Sequence, residues 1–289
     1  MSPSAMLRLA RPRQWIKNAF VAAPLFFTPA AISAGSLLRT ALAVAIFCLL
    51  SSTAYAINDW FDRDADRLHP EKRTRPIAAG EVSGGEAAAL VAVLLFVVFA
   101  LGLTLLPGEF SLVAFGYFAL NLFYSLKLKN MAILDVLTIA VGFVLRIDAG
   151  ALVIGVRPSV WIVVCAFLLA LFLALAKRRD DLVRTLDADH RASLAGYNRR
   201  FIETGLAMVL GSLLVSYVIY TTDAAVIARY GTEKLYLTVP FVAAGILRYL
   251  QITLVEERSG SPTDIMFSDR FIAVAVLGWV VTFAALIYG

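Results

Sequence analysis

A short acidic segment, residues 58–66 with the sequence NDWFDRDAD, carries the side chains best suited to chemistry in this chain. On a helix, Asn58, Asp62 and Asp66 recur every four residues and Asp59 lies three before Asp62, so these four share one face, whereas Asp64 points elsewhere. Crowded carboxylates repel one another unless a cation neutralises them. Oxygen ligands favour a hard ion such as Mg²⁺, which usually shares its coordination with substrate phosphates. The spacing predicts a magnesium-diphosphate site; a solvated acidic helix end is the simpler alternative.

A basic segment follows, residues 69–80 with the sequence HPEKRTRPIAAG. Its proline and glycine residues end helices, so we expect a loop that folds back over a phosphate. Lys72 and Arg73 are the candidate phosphate ligands. Arg75 is a weaker candidate, because a basic residue directly before proline can serve only to anchor the loop.

A second polar segment, residues 177–200, begins KRRDDL and continues through Asp187, Asp189 and Arg191. If helical structure persists to Asp181, this residue and Lys177 are four apart, so a carboxylate and a cation share one face. An interfacial anchor is an equally good interpretation of mixed charge at the end of a span.

The composition places both polar segments in a membrane protein. Of the 289 residues, 60% are hydrophobic and 16% charged, with a mean hydropathy of +0.80, whereas soluble domains have roughly 25% charged residues. Cys48 and Cys165 lie inside apolar runs, which excludes a disulfide framework and a zinc site. Apolar runs close to the roughly 20 residues that cross a bilayer predict an all-α membrane protein with one domain, 1–289, and about nine transmembrane helices, at 16–34, 40–57, 86–106, 110–126, 132–152, 159–176, 201–221, 236–254 and 270–288.

Lysine and arginine concentrate in alternate loops, which indicates the orientation of the chain. The amino terminus and the long polar loops after the second and sixth helices are expected in the cytoplasm, and the carboxyl terminus outside. The net charge is +5 and the pI is near 9.3, but the basic residues follow the topology rather than one soluble face, so no nucleic-acid partner is expected. Anionic membrane lipids and phosphorylated substrates are the expected partners.

Arg146 lies deep in the fifth predicted span, where an arginine costs at least about 2.5–3.5 kcal/mol. Such a charge needs a partner, and Asp148, two residues away, points to another face of the helix. We therefore expect Arg146 to face a central cavity and a lipid phosphate. A structural pair with a carboxylate on another helix is the alternative, and Asp135 either is such a partner or faces the site itself.

The motif N-D-x-x-D-x-x-x-D, the basic loop and the nine predicted helices together resemble the UbiA superfamily of intramembrane prenyltransferases. Asn58, Asp59, Asp62 and Asp66 match its first acidic motif position for position. Five further stretches, which extend the resemblance over nearly the whole chain, are similar to the branch of decaprenyl-phosphate phosphoribosyltransferases: 11–18 (RPRQWIKN), 69–80, 124–129 (YSLKLK), Arg146 with Ala149-Gly150, and 246–249 (ILRY). Pro262-Thr263-Asp264-Ile265 with Asp269-Arg270 fits the same branch. The resemblance implies a UbiA-type helix bundle around a central cavity.

The second polar segment departs from most of this superfamily, whose members carry a second acidic motif, D-x-x-x-D, after the sixth span. The K-R-R-D-D sequence here resembles the same branch, in which an acidic residue, here Asp181, follows a Lys-Arg pair. Arg179 stands where that branch more often has an aromatic residue. The resemblance implies Mg²⁺-dependent transfer of a 5-phosphoribosyl group from phosphoribosyl pyrophosphate to a decaprenyl-type polyprenyl phosphate. It further implies that the active site faces the cytoplasm at a bacterial plasma membrane and that the product serves envelope arabinan synthesis. Relatives also suggest that the chain can form a homo-oligomer.

The resemblance also implies a role for each candidate residue. The catalytic and metal-binding set is Asp59, Asp62, Asp66 and Asp181, with Asn58 as a further metal ligand. Donor phosphates are expected at Lys72, Arg73, Lys177 and Arg178, and donor or lipid phosphate at Gln14, Lys17 and Asn18. Tyr124, Lys127 and Lys129 are expected to orient the donor, unless the lysines only reach the membrane interface.

Two other functions remain open at this stage. A prenyl-diphosphate-dependent transferase with an aromatic or lipid acceptor has the same first motif, but the second D-x-x-x-D is missing. A transporter can also have intramembrane charges, but it does not explain an acidic helix end beside basic loops.

Overall fold

The computed structural model describes residues 2–70, 72–184, 192–257, 265 and 268–289. The chain forms two compact units, Met1–Pro158 and Ser159–Gly289. In order along the chain, the first unit contains α1 (Pro3–Ala10), a 3-10 helix (Pro12–Val21), α2 (Ala23–Phe26), a 3-10 turn (Pro29–Ala31), α3 (Ala34–Leu68), a 3-10 turn (Lys72–Thr74), α4 (Gly84–Leu105), α5 (Gly108–Leu126), a 3-10 turn (Leu128–Asn130) and α6 (Leu134–Val153).

The second unit is also helical throughout its described residues. It contains α7 (Val160–Arg184), a 3-10 helix (Ala192–Gly196), α8 (Arg199–Thr222), α9 (Ala224–Tyr230), a 3-10 helix (Lys234–Thr238), α10 (Val239–Leu254) and α11 (Arg270–Tyr288).

Eight helices in the described part of the chain are long and apolar enough to cross a membrane. They are α3 to α8, the segment Lys234–Leu254 that includes α10, and α11, without the short α9. They correspond to the second to ninth predicted spans, so the predicted all-α, multi-pass membrane fold is confirmed.

The first predicted span, 16–34, differs from the continuous helix that its apolar run indicates. Pro12, Pro24 and Pro29 each stand at the first or second position of a separate short helix, where the missing proline N–H costs nothing. The ring of each proline would clash with a preceding helical turn. The result is a chain of short helices between α1 and α3, here named the broken segment (12–33).

The broken segment runs antiparallel to α3. The Trp15 indole donates to Ser52 Oγ at 3.0 Å, and three residues further on Asn18 Nδ2 lies 3.3 Å from Cys48 Sγ. As the segment advances, its contacts therefore move back towards the start of α3. The segment consequently runs beside the first half of α3, as far as Ser36, whose hydroxyl donates to the Ala31 carbonyl at 2.7 Å.

Gly150 on α6 fixes how closely the broken segment approaches. A Cβ atom at this position would lie 1.8 Å from the carbonyl oxygen of Val21, which no side chain could accommodate without backbone movement. Because Gly150 has no side chain, the backbone of the broken segment can pack directly against α6.

Apolar packing completes each unit. In the first, α3 packs against α4, α5 and α6, with the Phe47 ring 6.0 Å from Phe110 and 5.0 Å from Tyr117. In the second, α7 packs against α8, and α10 against α11, with Phe172 4.9 Å from Tyr249. These helices provide the rigid supports on which the charged residues lie.

Candidate active site

Helix α3 continues without a break from its apolar part through the acidic segment to Leu68, so the helical spacing assumed for the motif is confirmed. Asn58 Nδ2 donates to Asp62 Oδ2 at 2.9 Å. Lys129, in the 3-10 turn after α5, pairs with Asp62 and donates to Asn58 Oδ1 at 3.2 Å. Asp64 lies apart and is largely exposed.

The other half of the motif is held by two arginines from other parts of the first unit. Asp59 has only 1% of its side chain exposed; its Oδ1 accepts from Arg11 at 2.6 Å and from Arg75 at 3.1 Å. Arg75 also donates to Asp66 Oδ2 at 2.6 Å. Arg75, the weaker candidate from the sequence, therefore bridges two motif carboxylates. Charge-assisted bonds of this kind fix the orientation of the carboxylates.

The motif residues suit a hard divalent ion, although they are engaged with cations in this structure. The second oxygen of Asp59, Oδ2, is buried and accepts no hydrogen bond from a described residue, so it is available to a further ligand. Among the described residues no three acidic, histidine or cysteine side chains converge closely enough to hold a metal ion. Asn58, Asp59, Asp62 and Asp66 supply the oxygen ligands that Mg²⁺ prefers, and a metal bound by so few protein ligands would share its coordination with a diphosphate.

Arg146 is buried, with 6% exposed, and all its hydrogen-bond acceptors are neutral. It donates to Asn18 Oδ1 at 2.8 Å, to the Gly142 carbonyl at 2.9 Å and to the Tyr117 hydroxyl at 2.7 Å. No carboxylate in the described part of the chain pairs with it, so the alternative of an ion pair with Asp135 or another acid is not observed. Its charge is solvated by the protein but not neutralised.

Lys17 lies in the same charged region. It forms no hydrogen bond or ion pair with another described residue, and its electrostatic neighbours are the like charges of Arg146 and Arg11. Lys17 and Arg146 have no counter-ion among the described residues, and Arg146 is buried among membrane-spanning helices. The region is therefore attractive to an anion.

The remaining candidates in the first unit are less closely connected to the motif. Tyr124 is half-buried in the last turn of α5, and Lys127, directly after it, is exposed. Gln14 is half-buried in the 3-10 helix and makes no side-chain hydrogen bond to another described residue. Lys72 and Arg73 lie in the turn after α3, Arg73 exposed. The structure thus brings Lys129 to the motif but not Lys127.

In the second unit, α7 continues to Arg184, so the predicted helical end is present. Arg178 is 1% exposed and pairs with Asp181 one turn later. Lys177 is exposed. The predicted helical relation of Lys177 and Asp181 holds, but the observed ion pair joins Asp181 to Arg178.

Arg179 forms an ion-pair network that we name the Arg179 network (Arg179, Glu203, Arg199, Glu257). Its side chain is 1% exposed; Nε donates to Glu203 at 3.2 Å and Nη2 lies 3.8 Å from Glu257. Arg199, which is exposed, contacts the same two glutamates at 2.8 and 3.1 Å. The network ties the end of α7 to the start of α8 and to the residue stretch after α10.

Among the other sequence motifs, Arg248 Nη2 donates to Asp269 at 2.7 Å. Hydrogen bonds from Arg248 hold the pKa of the Asp269 carboxyl below its usual range. Asp187, Asp189 and Arg191, and the stretch 262–264, lie outside the described residues.

Sequence reasoning gave no chemical role to Arg11 or Tyr117. In the sequence, Arg11 belongs to the stretch 11–18 that resembles the phosphoribosyltransferase branch, but no spacing rule connects it with Asp59. Tyr117 contributes both a hydroxyl acceptor and a ring 4.7 Å from the Arg146 guanidinium. Both contacts join residues far apart in sequence.

The chain is similar to known proteins over most of its length. The UbiA prenyltransferase family matches residues 19–275. The decaprenyl-phosphate phosphoribosyltransferase of Corynebacterium glutamicum is 32% identical, over 98% of this chain and 86% of that protein; that of Mycolicibacterium smegmatis is 32% identical, over 99% and 93%. The solved structure of a UbiA homologue from Archaeoglobus fulgidus bound to DMAPP and Mg²⁺ is 22% identical with a TM-score of 0.74, over 98% of this chain and 99% of that one.

Proposed function

Because the chain belongs to the UbiA prenyltransferase family, we propose that it is a transferase that moves the 5-phosphoribosyl group of phosphoribosyl pyrophosphate to a polyprenyl phosphate of the decaprenyl type and releases diphosphate. The relatives that carry this activity in their names extend over nearly the whole chain. We further propose that the reaction is Mg²⁺-dependent and takes place at the cytoplasmic face of a bacterial plasma membrane.

The pair of uncompensated cations, Lys17 and Arg146, is the observation that carries the choice of acceptor. A neutral aromatic ring, the alternative acceptor, would leave the buried guanidinium without a counter-ion. A polyprenyl phosphate supplies one, and Asn18 and Tyr117 already hold Arg146 in position through neutral bonds. Burying a charge without a partner is costly, so the phosphate is a fitting counter-ion.

The choice of donor rests on the number of lysine and arginine residues among the candidate phosphate ligands. Phosphoribosyl pyrophosphate carries a 5-phosphate in addition to its diphosphate, so it needs more cations than a prenyl diphosphate. Lys177 and Arg178 supply such cations where most family members have the carboxylates of a second acidic motif, and Lys72 and Arg73 supply further cations from the basic loop. Gln14, Tyr124, Lys127 and Lys129 complete the proposed donor-orienting set.

The transfer breaks the bond between ribose C1 and the diphosphate oxygen and forms a bond from C1 to an oxygen of the acceptor phosphate. Mg²⁺ held by Asn58, Asp59, Asp62 and Asp66 would neutralise the negative charge that develops on the leaving diphosphate. Asp181 is a further candidate metal ligand in the second unit. Arg11, Arg75 and Lys129 hold the motif carboxylates in place. The acceptor phosphate is already ionised at neutral pH, so no strong general base is required, and positioning and charge stabilisation account for most of the rate.

A donor-competition assay tests this proposal. Purified protein in lipid nanodiscs receives Mg²⁺, decaprenyl phosphate and labelled phosphoribosyl pyrophosphate, with or without unlabelled farnesyl diphosphate. We expect labelled lipid to form and farnesyl diphosphate to inhibit weakly without being consumed. If labelled lipid fails to form while farnesyl diphosphate is consumed, the chain is a prenyl-diphosphate transferase instead.

A further inference from the structure

One face of α3 connects the proposed acceptor site with the acidic motif. Ser51, Tyr55 and Asp59 recur every four residues, so their side chains share this face at intervals of about 6 Å along the helix axis. Asp59 belongs to the proposed metal-diphosphate site. The proposed function gives no role to Ser51 or Tyr55.

Ser51 lies beside the residues that hold Arg146. Its hydroxyl donates to Asn18 Oδ1 at 3.3 Å and lies 3.3 Å from the Tyr117 hydroxyl. Asn18 and Tyr117 both accept hydrogen bonds from Arg146. The turn of α3 that precedes Tyr55 is therefore in contact with the Arg146 environment.

Asp59, one turn after Tyr55, marks the acidic motif on the same face. Arg11 donates to Asp59 Oδ1 at 2.6 Å, and the same guanidinium lies over the Tyr55 ring, 5.1 Å from its centroid. The cation–π contact holds the ring against Arg11. Tyr55 consequently lies between the residues around Arg146 and the acidic motif.

The Tyr55 hydroxyl extends towards Arg146. Side chains on a helix lean towards its amino terminus, which for Tyr55 is the direction of Ser51. Of the charged residues that act on this hydroxyl, Arg146 has the strongest electrostatic interaction and Arg11 the next. The side chain is half-buried and its hydroxyl forms no hydrogen bond with another described residue. The O–H group is therefore available to a ligand.

We propose that the Tyr55 hydroxyl donates a hydrogen bond to the acceptor phosphate and thereby favours a phosphorylated acceptor over a neutral one. This inference rests on the proposed function. One phosphate oxygen accepts from Tyr55, which keeps its proton, while a second oxygen attacks ribose C1 as the bond from C1 to the diphosphate breaks. A hydrogen bond to an ionised acceptor is stronger than one between neutral groups. Because Tyr55 lies between Arg146 and the acidic motif, this bond orients the phosphate towards the bound donor.

Tyr55→Phe tests this role, because it removes the hydroxyl and keeps the ring beneath Arg11. We expect the KM for decaprenyl phosphate to rise about tenfold, which corresponds to about 1.4 kcal/mol. The KM for phosphoribosyl pyrophosphate should stay within about twofold, and kcat should change less than the acceptor KM. Tyr236→Phe, which removes an exposed hydroxyl in the second unit, is the matched control and should change neither KM.

Three outcomes of these kinetics overturn the proposal. Wild-type KM values in Tyr55→Phe would show that the hydroxyl contacts no substrate. A higher KM for phosphoribosyl pyrophosphate alone would place the hydroxyl against the donor. Equal losses with both substrates, together with a lower Tm, would show that Tyr55 only supports the structure of the site.

Equilibrium binding without any donor distinguishes a failure of this inference from a failure of the proposed function. Labelled decaprenyl phosphate and labelled decaprenol are titrated into the wild-type protein and into Tyr55→Phe in nanodiscs. We expect the wild-type protein to prefer the phosphate and Tyr55→Phe to lose about tenfold of that preference. If Tyr55→Phe retains the full preference, the role of Tyr55 is wrong and the proposed acceptor stands. If the wild-type protein itself has no such preference, the proposed acceptor is wrong, and the role of Tyr55 with it.

Discussion

Asp62 and Asp64 lie two residues apart on α3 but have different surroundings. Asp62 is bound by Asn58 and Lys129 within the proposed site, whereas Asp64 is largely exposed and pairs with Arg67. We expect Asp62→Asn to lower kcat by about 10²-fold or more, the cost of removing one electrostatic contact to a transition state. Its Tm should change little, because the side chain is partly solvated.

Asp64→Asn is the matched control and should keep wild-type kcat. Turnover measured with both variants, together with their thermal unfolding, separates a chemical role from a structural one. Full activity in Asp62→Asn would remove the basis of the metal-diphosphate site.

Arg75 provides a second prediction for individual residues. Its removal in Arg75→Gln leaves Asp66 without its 2.6 Å partner and the buried Asp59 with Arg11 alone. Breaking a buried pair is costly, and we expect a loss of about 3 kcal/mol in the free energy of unfolding, with lower kcat/KM. Arg67→Gln, which removes an exposed pair with Asp64, should cost less than about 1 kcal/mol. Similar losses in both variants would contradict the bridging role.

The acidic face of α3 could be predicted because its members are neighbours on one helix, where spacing determines position. That Arg11 and Arg75 bind Asp59 could not be predicted, since they lie 48 and 16 residues from it in the sequence. Such contacts depend on tertiary packing, which the local pattern does not contain. The roles of the candidate residues in binding and catalysis stay predictions.

The contact between the broken segment and α6 gives a prediction for whole elements. Gly150→Ala would place a Cβ atom against the Val21 carbonyl, so the segment that carries Lys17 and Asn18 must shift. We expect a loss of about 1–3 kcal/mol in stability, as for other overpacked sites, together with weaker acceptor binding. Gly116→Ala on α5 meets no atom within 4 Å and should be neutral or slightly stabilising. The free energy of unfolding and the KM for the acceptor, measured for both variants, test this prediction. Wild-type values for Gly150→Ala would contradict the close contact between Gly150 and the Val21 carbonyl.

The Arg179 network predicts an asymmetry between its members. Glu203→Gln keeps the buried Arg179 charge but leaves it only Glu257, 3.8 Å away. Arg179→Met removes the buried charge, and Glu203 retains Arg199. Because an unpaired buried charge costs more than an apolar replacement of similar size, Glu203→Gln should destabilise the protein more than Arg179→Met. The Tm values of the two variants test this prediction. If Arg179→Met has the lower Tm, the Arg179 charge contributes net stability.

Most element positions followed from hydropathy, since long apolar runs have few alternatives in a membrane. The first span is the exception. Its apolar run indicated a helix, but Pro24 and Pro29, together with the contacts with α3 and Gly150, divide it into short helices. Hydropathy measures the affinity of a segment for lipid, and it does not predict where proline residues break the helix.

The orientation of the whole molecule is a proposal that can be tested with two reporter positions. Lys127 follows α5 and Arg157 follows α6, both exposed, so one membrane-spanning helix separates them. In a variant with Cys48 and Cys165 replaced by alanine, we expect an impermeant thiol reagent to modify Lys127→Cys from the cytoplasmic side and Arg157→Cys from the outside. Modification of both from one side would contradict the predicted topology.

For the whole molecule, the motifs spread along the chain predicted the family, which the comparisons confirm. The donor is less accessible to sequence reasoning, because the magnesium-diphosphate role proposed for the first acidic motif is the same for a prenyl and a phosphoribosyl donor. The basic residues at Lys177 and Arg178, and the unneutralised Arg146, are the features that favour a phosphoribosyl donor and a phosphate acceptor.

The most direct test of the central claim follows both parts of the donor. Phosphoribosyl pyrophosphate carrying one isotope in its ribose and another in its diphosphate is incubated with purified protein, Mg²⁺ and decaprenyl phosphate. The proposal predicts that the ribose label enters the organic-soluble lipid in equal amount to the diphosphate label released into water, and that a chelator stops both. Absence of ribose label from the lipid, while the same protein transfers an isoprenoid from a prenyl diphosphate, would contradict it.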